Sequence, residues 1–507
     1  MKNIKKILTN RLIYIGLAAL AEVATYVLLF NLVKTYAGWI ETVFHILAVF
    51  VVLHIIRTSQ HLSSDMMWLV MIMLAPVAGT AVFLLAGADM IRNKTYRSIL
   101  KEQKKSEQYL HQDPQIYHEM VNKYPSRRAS LQFIPNSGYP FYKCEGYDYY
   151  PLGDDGWPVI LEEMKKAKKY IFMEYFIIEE GEMWNSMLEI LEEKVKEGVE
   201  CRVMYDDMGS INTIPSSYAK KLEKKGIKAV SFNRVTPIIN VIMNHRDHRK
   251  ILVIDGKVGF SGGINLADEY INRKVIHGHW KDNIIKVTGR PVWSLLVTFL
   301  TNWNALRHED EDYTVWKGDY DVPAYTGGYI SCYADTPLDQ VLTAQSIYED
   351  ILNSANQYVY IMTPYLIIDS EMINTLIHTA KKGVDVRIIM PGVADKKSVW
   401  EIGRSYYTQL LEAGVRIYEY TPGFVHAKVF VSDDLCATVG TINLDYRSLY
   451  LHFENGTYII GNKEVMAIRN DFDKTLLKCR EVHKEDIRTG AIMSFLLSIV
   501  RIFAPML

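Results

Sequence analysis

The apolar positions of the chain fall into two regimes. Up to about residue 90 they form long runs, at residues 12–33, 39–56 and 66–88. A helix needs about 20 such residues to cross a bilayer core. The first and third runs satisfy that, the first despite Glu22. The second is shorter and carries Glu41, His45 and His54, so it is the run expected not to span. The first run is too long for a cleaved signal peptide, and two more follow it. Lys2, Lys5, Lys6 and Arg11 precede the first run, and Arg92, Lys94, Arg97, Lys101, Lys104 and Lys105 follow the third. Basic flanks favour the cytoplasm. The expectation is a multi-pass cell-membrane protein with an even number of crossings and its remaining domains on the cytoplasmic face.

Beyond residue 90 the pattern changes. Residues 91–135 are charged and helical in tone, a juxtamembrane connector whose basic cluster would also attract anionic lipid headgroups. From residue 136 short apolar runs alternate with amphipathic ones. Residues 170–178 (Y-I-F-M-E-Y-F-I-I) read as a buried strand, followed by a charged helix and a Gly-Val-Glu-Cys-Arg strand from Gly198. Residues 358–367 (Y-V-Y-I-M-T-P-Y-L-I) open the same order again, ending in Gly-Val-Asp-Val-Arg from Gly383. The soluble part therefore reads as a duplicated α/β unit with a largely buried sheet, residues 136–330 and 331–485. The apolar tail beyond residue 486 is short for a span and reads as an interfacial or closing helix.

The repeat carries chemistry. Residues 244–265 contain His248, Lys250 and Asp255 in the spacing H-x-K-x4-D, then Gly262, Gly263 and Asn265. His426, Lys428, Asp433, Gly440 and Asn443 repeat those offsets. Residues two apart in a strand share a face, so each His and Lys point the same way. Asp255-Gly256 is a tight-turn signal. A two-residue hairpin there, and at Asp433-Asp434, puts Gly263 opposite His248 and Thr441 opposite His426, leaving room for a ligand, with Asn265 and Asn443 one pair further on. Two such halves facing each other suit a phosphodiester. One imidazole attacks phosphorus, the other protonates the departing alkoxide, and Lys and Asn donors offset the charge on the non-bridging oxygens. Nothing in the residues says which His attacks. Asp255 and Asp433 belong to the motif, yet forming the turn explains them as well as a chemical role does.

Composition narrows the partners. Lys+Arg 57 against Asp+Glu 58 gives no global signal for nucleic acid. Five scattered cysteines without a CxxC form neither a disulfide framework nor a zinc site. No metal or other cofactor is expected, since the motif lysines would repel a cation.

The chain resembles the phospholipase D superfamily, marked by two H-x-K-x4-D motifs followed by a Gly-rich turn and Asn. It is further similar to the bacterial cardiolipin synthases, in Met173 to Phe176, residues 262–270 (G-G-I-N-L-A-D-E-Y), Thr363-Pro364-Tyr365, residues 420–426 and residues 440–448. The resemblance implies two duplicated phospholipase D-like α-β-α sandwich domains behind an N-terminal transmembrane region. It implies transfer of a phosphatidyl group between two phosphatidylglycerol molecules, giving cardiolipin and glycerol through a phosphatidyl-histidine. His248 is then the nucleophile and His426 the acid and base. An acidic residue orients each His in such enzymes: Glu454 is expected on His426, 28 residues upstream, and Asp282 on His248. The alternative is a hydrolase, or a transferase using another alcohol.

Overall fold

The computed structural model describes residues 37–58, 62–84, 94–235, 244–320, 327–339 and 341–487, with residues 20, 24–25, 497 and 499–502. The first apolar run, the basic residues around it and most of the C-terminal tail lie outside the described residues.

The second run, expected not to span, forms the longest helix of this region among the described residues. Ala37–Thr58 is one continuous helix of 22 residues, about 33 Å long at 1.5 Å per residue. Its outward positions Val43, Ile46, Val49, Phe50, Leu53 and Ile56 are exposed apolar side chains. Among the described residues it is the one helix long and apolar enough to cross a membrane. The third run is divided into Leu62–Leu74 and Pro76–Val82. Pro76 has no N–H to continue the first helix, and its ring crowds the preceding turn. Hydropathy alone could not register that break.

Two mixed sheets follow. In spatial order the first is Gly146–Tyr150, Ile284–Thr288, Val258–Gly262, Lys250–Ile254, Tyr170–Tyr175, Glu200–Asp206 and Lys228–Phe232. The second contains Glu454–Ile460, Cys436–Gly440, Val429–Ser432, Tyr358–Met362, Asp385–Pro391 and Arg416–Tyr420, with Tyr142–Lys143 and Tyr329–Asp335 added at one edge and Cys479–Glu481 at the other. In both, the strand after the H-x-K motif lies antiparallel between its hairpin mate and the first of three parallel strands. Alternation sorts the side chains. Ile251 and Val253 join Val429 and Val431 in one core shared by the two sheets, with most of the buried helix Val292–Arg307. Leu252 and Ile254 face a second core, and Phe430 a third. The connector is part of this body: Tyr96 and Ile99 of Lys94–Ser106 are buried with Phe232 and Phe453.

The two hairpins differ from the two-residue expectation. Asp255 and Gly256 both have positive φ, as do Asp433 and Asp434, and Lys257 N–H closes on the Ile254 carbonyl at 3.0 Å. The ladder nevertheless resumes only at Val258 with Ile254, and at Cys436 with Ser432. One extra residue bulges on each return strand. Pairing therefore runs one residue out of the expected register and ends before either histidine.

Candidate active site

Past the end of the ladder, each histidine is held by the other half of the chain. Asp247 bridges to Phe453, and His248 N–H donates to the Phe453 carbonyl at 2.9 Å. On the other side, Gly423–Val425 pairs in parallel with His279–Lys281, and His426 N–H donates to the Lys281 carbonyl at 2.7 Å. The next residue along each borrowed segment is a carboxylate. His248 Nδ1 consequently meets Glu454 Oε1 at 2.9 Å and Oε2 at 3.0 Å. His426 Nδ1 meets Asp282 Oδ2 at 2.6 Å. This corrects the sequence expectation, which paired Glu454 with His426 and Asp282 with His248. The carboxylates cross between halves, because strand pairing between the halves, not proximity along the chain, sets their place.

The two rings share one cavity of about 400 Å³. With both Nδ1 atoms engaged, Nε2 is the reactive atom each ring has left. Asn265 and Asn443 line the same cavity, as expected. The Asn265 amide is committed, accepting from Ile177 N–H at 3.1 Å and donating to Tyr270 Oη at 2.7 Å. Asn443 Oδ1 is buried with no hydrogen-bond partner. Lys250 and Lys428 do not line the cavity. Each sits behind its histidine and donates to that residue's carbonyl, Lys250 at 2.6 Å. Their ammonium charge reaches the cavity from the second layer.

The small residues after each motif serve the carboxylates. A Cβ on Gly263 would lie 1.9 Å from Asp282 Oδ1, and the Thr441 hydroxyl donates to Glu454. The space expected for a ligand is filled by the groups that hold the rings.

A sequence profile described as cardiolipin synthase, phospholipase D-like domain, matches residues 160–285 and 348–476. A cardiolipin synthase of Halalkalibacterium halodurans is 31% identical over 93% of this chain and 95% of its own length. An uncharacterised protein of Streptococcus mutans is 43% identical over 90% of this chain and 99% of its own. The chain belongs to the cardiolipin synthase family of phospholipase D-like proteins. Within that family it is a phospholipid phosphatidyltransferase. The crystal structure of a phosphatidylserine synthase from Haemophilus influenzae covers 75% of this chain and 98% of its own at a TM-score of 0.56. At 14% identity that likeness shows the fold alone.

Electrostatics separates the two halves of this cardiolipin synthase-family site. Burial drives the His248 imidazole down to about 3, with Glu454 pulling against it and Lys250 with it. Burial alone would raise Glu454, but His248 and His452 outweigh it and hold the carboxylate below its usual range. His248 thus donates Nδ1–H to an ionised carboxylate and keeps its Nε2 lone pair. Asp282 differs: burial raises it to about 7 against the pull of Lys428. His426 is driven well down by burial, Lys428 and Lys250. Its Nδ1 also lies 2.8 Å from Lys428 Nζ, a group that only donates. A ring accepting there carries its proton on Nε2.

Burial lowers Lys250 to about 7 and Lys428 to about 8. Their charge is present below those values and lost above them. We therefore expect kcat/KM, which reports the free enzyme, to stay level from about pH 5 to 7 and to fall as pH rises through 7 to 8. An acid limb near pH 6 would contradict the neutral histidines.

Asp255 and Asp433, included with the catalytic motif, stand at the far ends of their strands, and the structure gives them the turn role. Asp255 accepts the N–H groups of Lys168, Lys169 and Tyr170, each at 2.8 Å. Asp433 does the same for Asn356, Gln357 and Tyr358 at 2.9–3.0 Å. Each pins its hairpin to the head of the neighbouring strand.

The cavity also has walls that the motif did not announce. Phe176 meets the His248 ring edge-on at 5.0 Å, and Tyr270 meets His426 likewise at 5.4 Å. Trp280, Phe424, Arg447 and His452 complete this part of the wall. A usable signal existed: Trp280 and His452 each stand two residues before a carboxylate. His248, His452 and Glu454 bring potential metal-ligand atoms within 4.8 Å of one another. That donor set fits a cation poorly: Glu454 is already shared with His248 and Thr441, and the Lys250 charge bears on it.

Proposed function

We propose that this phosphatidyltransferase makes cardiolipin from two molecules of phosphatidylglycerol. His248 Nε2 attacks phosphorus, forming a P–N bond as the P–O bond to the glycerol headgroup breaks. His426 gives its Nε2 proton to the departing oxygen while the protonated Asp282 carboxyl, 2.6 Å from Nδ1, passes its own proton to that nitrogen, so the ring stays neutral and glycerol leaves. A headgroup hydroxyl of a second phosphatidylglycerol then enters. His426, its Nε2 now bare, removes the hydroxyl proton and returns its Nδ1 proton to Asp282 as the oxygen attacks phosphorus and the P–N bond breaks. His248 and His426 return to their starting forms, and the products are cardiolipin and glycerol. Asn265 and Asn443 flank the phosphoryl oxygens, while Lys250 and Lys428 offset their charge.

The observation that carries the assignment is the difference between the two Nδ1 environments. A ring donating only to Glu454 keeps a lone pair for attack. A ring facing Lys428 holds its proton where a leaving group needs it. The reading extends to duplicated α-β-α units at residues 136–330 and 331–485. It also includes a multi-pass N-terminal anchor that keeps them on the cytoplasmic side.

The test supplies the purified full chain with phosphatidylglycerol in mixed micelles and EDTA, following lipids and free glycerol. Cardiolipin and glycerol should appear in equal amounts. Phosphatidic acid as the main product would replace the transferase with a hydrolase, and loss of activity in EDTA would bring a metal into the cavity.

A further inference from the structure

The two sides of the cavity match in position but not in chemistry. Two residues before Asp282 stands Trp280, its ring 5.6 Å from that of His426. Two residues before Glu454 stands His452, its ring 5.5 Å from that of His248. One motif histidine is thus flanked by an indole and the other by a third imidazole. His452 is buried, at 8% exposure, and lines the cavity. Neither of its ring nitrogens has a hydrogen-bond partner, and Nδ1 stands 3.7 Å from Glu454 Oε1. A buried imidazole with both nitrogens unpaired is costly unless something else satisfies it. The motif group beside it is His248, the ring to which the phosphoryl group is attached in the proposed reaction.

We propose that His452 is a phosphoryl-binding residue, its ring N–H donating to a non-bridging oxygen of the phosphodiester held at His248. The inference rests on the reaction proposed above. An acceptor at that point satisfies a nitrogen the empty cavity leaves unpaired. On the other side Trp280 packs against Phe424 at 4.9 Å. The donor would act on ground state and phosphoryl-enzyme alike, so its loss is felt first in KM.

Two variants distinguish a donor from a packing ring. His452→Phe keeps an aromatic ring against Phe176 and removes the donor. His452→Asn loses the ring and keeps an N–H. Each is measured in the full chain for KM and kcat on phosphatidylglycerol micelles and on the soluble diester bis(4-nitrophenyl) phosphate. We expect His452→Phe to raise KM about 10-fold or more, the loss of one hydrogen bond to a charged acceptor. His452→Asn should stay within about 3-fold, because it retains a donor. A Phe variant with unchanged KM, or an Asn variant no better than the Phe variant, overturns the proposal. A wild-type protein that cleaves the soluble diester yet makes no cardiolipin would bring down the lipid reaction and leave His452 testable on the diester alone.

Discussion

Replacing His248 with Asn is expected to lower turnover by at least about 10⁴-fold and to leave no phospholipid bonded to the protein. Asn fits the space of an imidazole but has no nucleophilic nitrogen, and the phosphorus has nothing to attach to. His426→Asn should also lose turnover while retaining the nucleophile. The P–N bond can then form slowly, but no base activates the incoming hydroxyl. A phosphatidyl adduct should accumulate, detectable by intact mass as a gain of one phosphatidyl group and removable by acid, as a phosphoramidate is. The reason to expect this order lies in the Nδ1 contacts. Glu454 takes the His248 proton from a ring otherwise free of donors, whereas Lys428 faces His426 Nδ1 at 2.8 Å. An adduct on the His248→Asn protein and none on His426→Asn would exchange the roles.

Glu454→Gln and Asp282→Asn are expected to follow the crossed pairing. Glu454→Gln keeps size but removes the charge that holds the His248 tautomer, and Asp282→Asn keeps size but removes the proton that Asp282 passes to His426, changes worth up to about 10⁴-fold in related catalytic arrangements. Glu454→Gln should behave like His248→Asn, with little adduct, because the ring that attacks loses its orienting acceptor. Asp282→Asn should behave like His426→Asn and accumulate adduct, because the acid and base is the one disturbed. If the carboxylates served the histidine of their own half, the two phenotypes would be exchanged. Quenched-flow measurement of the first glycerol released separates the cases, since it reports formation of the P–N bond directly.

Much of this site was legible in the residues. The repeated spacing found His248, Lys250, His426, Lys428 and both asparagines, because strand periodicity ties spacing to a shared face. The resemblance to cardiolipin synthases, not the spacing, singled out Glu454 and Asp282 as the orienting pair. The pairing itself was not legible. It depends on Gly423–Val425 lying beside His279–Lys281, a contact between distant segments that no local pattern encodes. The hairpin register failed for a smaller reason: Lys257 and Leu435 bulge beyond turns whose sequence permits two residues. In the membrane region a single imino acid, Pro76, divides a run that hydropathy reads as continuous. His452 was passed over because its one signal, standing two residues before Glu454 as Trp280 stands before Asp282, points to no chemistry until both lie in the cavity wall.

The crossing of the carboxylates has a bearing on synthesis as well as on catalysis. His248 leaves the ribosome 206 residues ahead of the glutamate that orients it, and His426 follows its own aspartate by 144. Until nearly the whole chain has emerged, the nascent polypeptide carries His248 with neither its carboxylate nor the second imidazole of the cavity. A chain truncated anywhere before residue 454 consequently lacks the carboxylate that holds His248.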